Sequence, residues 1–126
     1  MSHAGEAAVV VVGGDPDFCY LVRRYLREAA HLRVVASSPG DALLLASQER
    51  PVAIVLELDA PGPECWATLR ALKSGHATRP VPIVACSWLD AEQRSLQEGA
   101  DRFLRKPVLY EDLVAALAGL GIRVAP

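Results

Sequence analysis

Nothing in the 126-residue chain is long and apolar enough to cross a bilayer: its apolar stretches are strand-sized, against the ~20 residues a spanning helix needs. Residues 1–8 have neither the basic nor the apolar region of a signal peptide. Cysteine is scarce. Cys19, Cys65 and Cys86 are odd in number and lack any CxxC or Cys/His spacing, which supports neither a disulfide framework nor a zinc site. His3, His31 and His76 are scattered, with no ligand-type partner three or four residues away, and are read as surface residues. The net charge is only −2 and no basic stripe offers a footprint for nucleic acid. Repeats, low-complexity segments and linkers are also missing. These absences point to a cytoplasmic protein.

What is present suits one folded domain, residues 1–126. Hydrophobic residues make up 52% of the chain, which argues against disorder. A chain of this length buries roughly two-thirds of its unfolded surface. Residues 7–12, AAVVVV, form the continuous β-branched run of a strand covered on both faces. Asp15 then stands as an N-cap with Pro16 at the first helical position, followed by Phe18, Leu21, Val22, Tyr25 and Ala29 at helical spacing. A second strand is expected at 32–36, and Ser38-Pro39-Gly40-Asp41 opens a helix over 41–49 as a capping box. A strand at 52–58, a turn at 60–63 and a helix at 64–74 follow. Strand 81–86, a helix at 90–98 closed by Gly99, strand 102–105 and helix 109–118 complete the chain.

Strands alternating with helices in this way imply βαβ crossovers and a parallel sheet with helices on both faces. In such sheets the working site lies beyond the carboxyl ends of the strands. Those ends carry Gly13-Gly14-Asp15, Glu57-Leu58-Asp59, Ser87-Trp88 and Arg105-Lys106-Pro107.

Together, these ends resemble the receiver domain of bacterial response regulators over essentially the whole chain. VVVVGGDPDF is similar to the family's first strand and acidic loop. PVAIVLELDAPG resembles the strand bearing the phospho-accepting aspartate, which lies four residues before a turn proline; counting back from Pro61 gives Glu57. PIVACS puts Ser87 at the switch Ser/Thr position, and GADRFLRKP puts Phe103 at the switch aromatic and Lys106-Pro107 at the closing pair. The resemblance implies a flavodoxin-like (βα)5 fold with strand order 2-1-3-4-5, a role in phosphorelay signalling, and no enzyme activity. It also implies that the output and dimer surface lies in residues 90–118, including Arg102 and Arg105, where a sensor kinase, an effector or a second copy would dock.

The departures fall on the reacting groups. The family pattern implies two acidic residues after strand 1 to hold Mg²⁺, and this chain has Gly13 and Gly14. It implies aspartate as acceptor and a small residue after the switch hydroxyl, where this chain has Glu57 and Trp88. Phosphoryl transfer depends on positioning and on neutralising developing charge, and Mg²⁺ needs oxygen ligands to do so. Without the acid pair the site is expected to hold no metal and no other cofactor. Glu57 reaches one methylene further than aspartate, towards the place of a phosphoryl oxygen, with about one charge against the roughly −1.5 to −2 of a phosphate.

Several residues keep two readings. Glu57 either imitates the phosphorylated state, drawing in Lys106 and the Ser87 hydroxyl and letting Phe103 turn inward, or is a structural ion pair with Lys106. Asp15 is an N-cap or a metal ligand, and Gly13-Gly14 an ordinary turn or an anion-binding nest. Trp88 closes over the site or contacts a partner, Trp66 reads as core, and Cys86 reads as a buried filler. For function, the leading reading is a receiver acting by protein contact without phosphorylation. The alternatives are a working receiver with Asp59 or Asp15 as displaced acceptor, and a flavodoxin-like binder of a small phosphorylated ligand.

Overall fold

The computed structural model describes residues 7–30, 32–59 and 64–124. The turn expected at 60–63, with Pro61, lies outside the described residues, as do His3 and His31. The strands are β1 (Ala8–Val12), β2 (Arg33–Ser37), β3 (Ala53–Glu57), β4 (Ile83–Ser87) and β5 (Arg102–Arg105). The helices are α1 (Pro16–Ala30), α2 (Ala42–Glu49), α3 (Glu64–Ser74), α4 (Glu92–Gln97) and α5 (Tyr110–Gly119). All four strand pairings are parallel, and the order is β2-β1-β3-β4-β5. This is the flavodoxin-like arrangement that the receiver resemblance implies.

The β-branched run of β1 is continuous because both of its faces are buried. Val9 and Val11 pack with Val55, Val84 and Cys86 against Phe18, Val22 and Leu26 of α1 and Leu113 and Leu117 of α5. Val10 and Val12 pack with Ile54, Leu56, Ile83 and Ala85 against Ala42 and Ala46 of α2 and Cys65, Leu69 and Leu72 of α3. Period-2 alternation therefore feeds two cores from one sheet.

Local chemistry moves some boundaries. Ser38 accepts the Asp41 N–H at 3.2 Å, but the turn it caps is a 3-10 turn over Pro39–Asp41, and α2 starts one residue later than expected. β4 begins at Ile83 because the Val81 N–H is spent on the Thr78 carbonyl and Pro82 has no N–H to give the ladder. Its far end gains Ser87, which is therefore the last strand residue and not the first loop residue. Helix α4 is shorter than the 90–98 expected, since Ala91 N–H closes a turn on the Leu89 carbonyl. Gly99, at φ 114°, supplies the left-handed residue that leads from α4 towards β5.

Candidate functional site

Asp15 caps α1 by accepting the Asp17 N–H at 3.0 Å, which settles its side chain as an N-cap. Its own N–H points the other way and donates to Oε1 of Glu57 at 3.3 Å. The glycine loop therefore does present a backbone donor to an anion, and the anion is the side chain of Glu57. Gly13 leaves the space: a Cβ built there would lie 2.5 Å from Glu57 Oε1 and 3.0 Å from Glu57 Cβ. At Gly14 nothing stands within 4 Å of a built Cβ. The extra methylene of glutamate thus folds back over Gly13, into room that a side chain at residue 13 would fill.

Glu57 is 4% exposed and its Oε2 accepts a short hydrogen bond from Lys106 Nζ, also buried. An exposed ion pair of this kind would be worth only about 0–1 kcal/mol. Burial changes that, because breaking a buried pair leaves an uncompensated charge. The Lys106 ammonium also lies 4.6 Å from the centre of the Phe18 ring and 5.8 Å from that of Trp88, within cation–π range. By sequence Phe18 is only one of the apolar residues at helical spacing in α1.

The Ser87 hydroxyl does not turn to Glu57. It donates to Oδ1 of Asp59 at 2.6 Å, and the Trp88 N–H lies 3.2 and 3.1 Å from the two Asp59 oxygens. Lys106 Nζ bridges to Oδ2 of Asp59 at 3.0 Å. Of the two contacts that imitation of the phosphorylated state implies, Glu57 makes the one to Lys106 and not the one to Ser87. Glu57 already has a donor on each oxygen, and Asp59 stands nearer the end of β4. By sequence Asp59 stands near the site and is the alternative acceptor; two residues past the end of β3, it takes the central position among the donors.

Two carboxylates thus share one ammonium. Burial of Asp59 works to raise its pKa, but hydrogen bonds from Ser87, Lys106 and Trp88 outweigh it and hold the carboxyl below its usual range. Burial likewise opposes the charge on Lys106, and Glu57 and Asp59 more than offset it, raising the ammonium pKa. Burial pushes the Cys86 thiol up to about 12, so it packs as a filler without thiolate character. Phe103 is half-buried, packed on the core that β4 shares with α3. Pro107 is exposed. Trp66 is half-buried, with the Arg94 guanidinium 3.9 Å from its ring centre.

The carboxylates present do not suit a divalent cation. Asp15 is committed to its cap, Glu57 to Asp15 N–H and Lys106, and Asp59 to Ser87, Trp88 and Lys106. Among the described residues no group of three or more His, Cys, Asp or Glu side chains is arranged to hold a metal. Millimolar Mg²⁺ should therefore leave tryptophan fluorescence and the thermal midpoint unchanged; saturable binding below millimolar would overturn that expectation.

No family model matches the chain. Known proteins do. Protein PilH of Pseudomonas aeruginosa is 28% identical over 120 residues, spanning 90% of this chain and 99% of PilH. The transcriptional regulatory protein PrrA of Mycobacterium tuberculosis is 32% identical over 113 residues, or 89% of this chain, which spans about half (48%) of PrrA's own length. The crystal structure of a response regulator signal receiver domain from Bermanella marisrubri superposes with a TM-score of 0.77 at 26% identity, over 92% of this chain and 98% of that one. The chain belongs to the response-regulator receiver domains of two-component signalling.

Proposed function

We propose that this receiver domain signals through protein contacts without taking up a phosphoryl group. The observation that carries the reading is the state of Glu57. Its carboxylate is buried, with the Asp15 N–H on one oxygen and Lys106 on the other, so each oxygen is already engaged by a donor and shielded from an incoming phosphodonor. Two carboxylates around one ammonium also leave the site net negative, which disfavours an approaching anion. The departures from the family pattern at Gly13, Gly14 and Glu57 support the same reading.

A sensor kinase, an effector or a second copy of the chain is the partner this reading requires, over residues 90–118. That stretch exposes Leu96 and Leu109, with Trp88 and Leu89 exposed just before it. Arg102 and Arg105 are exposed and bond carbonyls: Arg102 those of Asp101 and Gly119, Arg105 that of Trp88. Neither pairs with a carboxylate among the described residues, so both retain charge for a partner.

The test is intact mass after incubation with acetyl phosphate and Mg²⁺, where no gain is expected. A stable gain of one phosphoryl group would overturn the reading. Loss of that gain in Asp59→Asn would instead identify the displaced-acceptor receiver.

A further inference from the structure

Every strand of the sheet runs the same way and every helix returns, so all five helices start at one end of the molecule and finish at the other. A helix start favours acidic side chains. Each helix here opens on one: Asp17, Asp41, Glu64, Glu92, and Glu111 with Asp112, all exposed and none in an ion pair among the described residues. The opposite end holds Arg27 in the last turn of α1, Arg50 after α2, Arg79 between α3 and β4, Arg102 opening β5 and Arg123 after α5, also exposed. The described carboxylates of that end are already engaged: Glu28, Glu49, Glu98 and Asp101 pair with Arg24, Arg33, Arg70 and Lys73. None of the five arginines pairs with a carboxylate among the described residues. The sequence shows no basic stripe because these arginines come from five separate segments. A chain of net charge −2 is folded into a molecule with a negative end and a positive end.

The 15 residues of α1 set the two ends about 22 Å apart. Screening at physiological ionic strength acts over about 8 Å, so neither end neutralises the other within one copy. The helix dipoles offset part of each end, by about half a charge per terminus, and leave an excess of both signs. Glu57, Asp59 and Lys106 carry one net negative charge at the acidic end, matched there by the exposed Arg105. We propose that copies of this domain associate head to tail, the arginine end of one copy seated on the carboxylate end of the next. A second copy is the occupant these charges fit, because the chain itself carries both halves of the contact in similar strength. Such a contact does not close on two copies, so it builds a row and not a dimer. The inference goes beyond the proposed function, which places partners on residues 90–118; Arg27, Arg50, Arg79 and Arg123 lie outside that stretch.

Sedimentation velocity tests the contact. At an ionic strength of about 0.01 M, where charges act over about 30 Å, the mean mass should climb past that of a dimer as concentration rises. At about 1 M, where they act over about 3 Å, the protein should sediment as a monomer. Arg50→Gln/Arg79→Gln should weaken the low-salt association about tenfold, as expected for losing two exposed charge contacts. Arg23→Gln/Arg70→Gln makes the same change in net charge in the middle of α1 and α3, with Glu98 still paired to Arg94. It should leave association within about twofold of the wild type. If Arg50→Gln/Arg79→Gln does not fold, Arg27→Gln/Arg123→Gln at the same end decides. A monomer at about 0.01 M, growth that stops at the dimer, or equal losses in the two kinds of variant would overturn the proposal. A monomer that heparin retains through Arg50 and Arg79 would also overturn it, and would assign the arginine end to a polyanion. Phosphoryl uptake by the wild type would overturn the proposed function alone, and a monomer of unchanged mass would overturn head-to-tail association alone.

Discussion

Lys106→Met should destabilise the domain by about 3–5 kcal/mol, because it strands carboxylates in a buried site. Lys106 and Glu57 side chains are 4% and 5% exposed, and Asp59 also loses its ammonium. Solvent screening at that depth is slight, so the small values typical of surface pairs do not apply. Urea unfolding should show a lower midpoint with an unchanged slope. The pH dependence gives the sign. Asp59 has a lowered folded pKa, so in the wild type its contribution is present above its unfolded value of about 3.9 and lost as pH falls through the lower folded value. Lys106 has a raised folded pKa, so its contribution is complete below about 10.4 and lost as pH rises through the higher folded value. The gap between wild type and Lys106→Met should therefore narrow as pH falls, because Asp59 stranded without its ammonium takes up a proton at higher pH than it does in the wild type. A gap of the same size at pH 3 and pH 7 would mean that Lys106 contributes packing and not charge.

Gly13→Asp should cost about 2–3 kcal/mol, although the residue sits at the half-exposed edge of a loop. Its Cβ would stand 2.5 Å from Glu57 Oε1, and Glu57 cannot swing aside without giving up the Asp15 N–H and Lys106. Gly13→Ala isolates the steric part and should cost about 1–3 kcal/mol. Glu57→Asp withdraws the carboxylate by one methylene, so it should relieve both variants, with a coupling of about 0.5–3 kcal/mol in the double-mutant cycle. Gly14→Ala is the control and should stay within about 0.5 kcal/mol, since nothing lies within 4 Å of its built Cβ. Additive costs at residues 13 and 57 would show that the two positions do not share one space. If the coupling appears, glycine at 13 and glutamate at 57 are one structural feature, because each is accommodated by the other.

The strands and helices could be read from the chain because their causes are local or periodic. β1 has a β-branched residue at every position from Val9 to Val12, which only a sheet covered on both faces can bury. Helix α3 falls over Glu64–Ser74, where Trp66, Leu69 and Leu72 stand at helical spacing, and it buries Leu69 and Leu72 together with Cys65. The four strand ends were likewise placed by sequence, and with them Glu57, Asp59, Ser87 and Lys106. Which oxygen meets which donor was not. Ser87 and Asp59 are 28 residues apart and Glu57 and Lys106 are 49, so their contacts depend on the register of β3, β4 and β5 and on ångström-scale reach. A glutamate at residue 57 is long enough to face either Ser87 or the loop after β1. The room beside Gly13, which has no side chain, and the Asp15 N–H hold it at the loop, leaving the Ser87 hydroxyl to Asp59. Residue type and strand period bring acids and bases to the same end of a sheet; the shape of the space between them decides which pairs form.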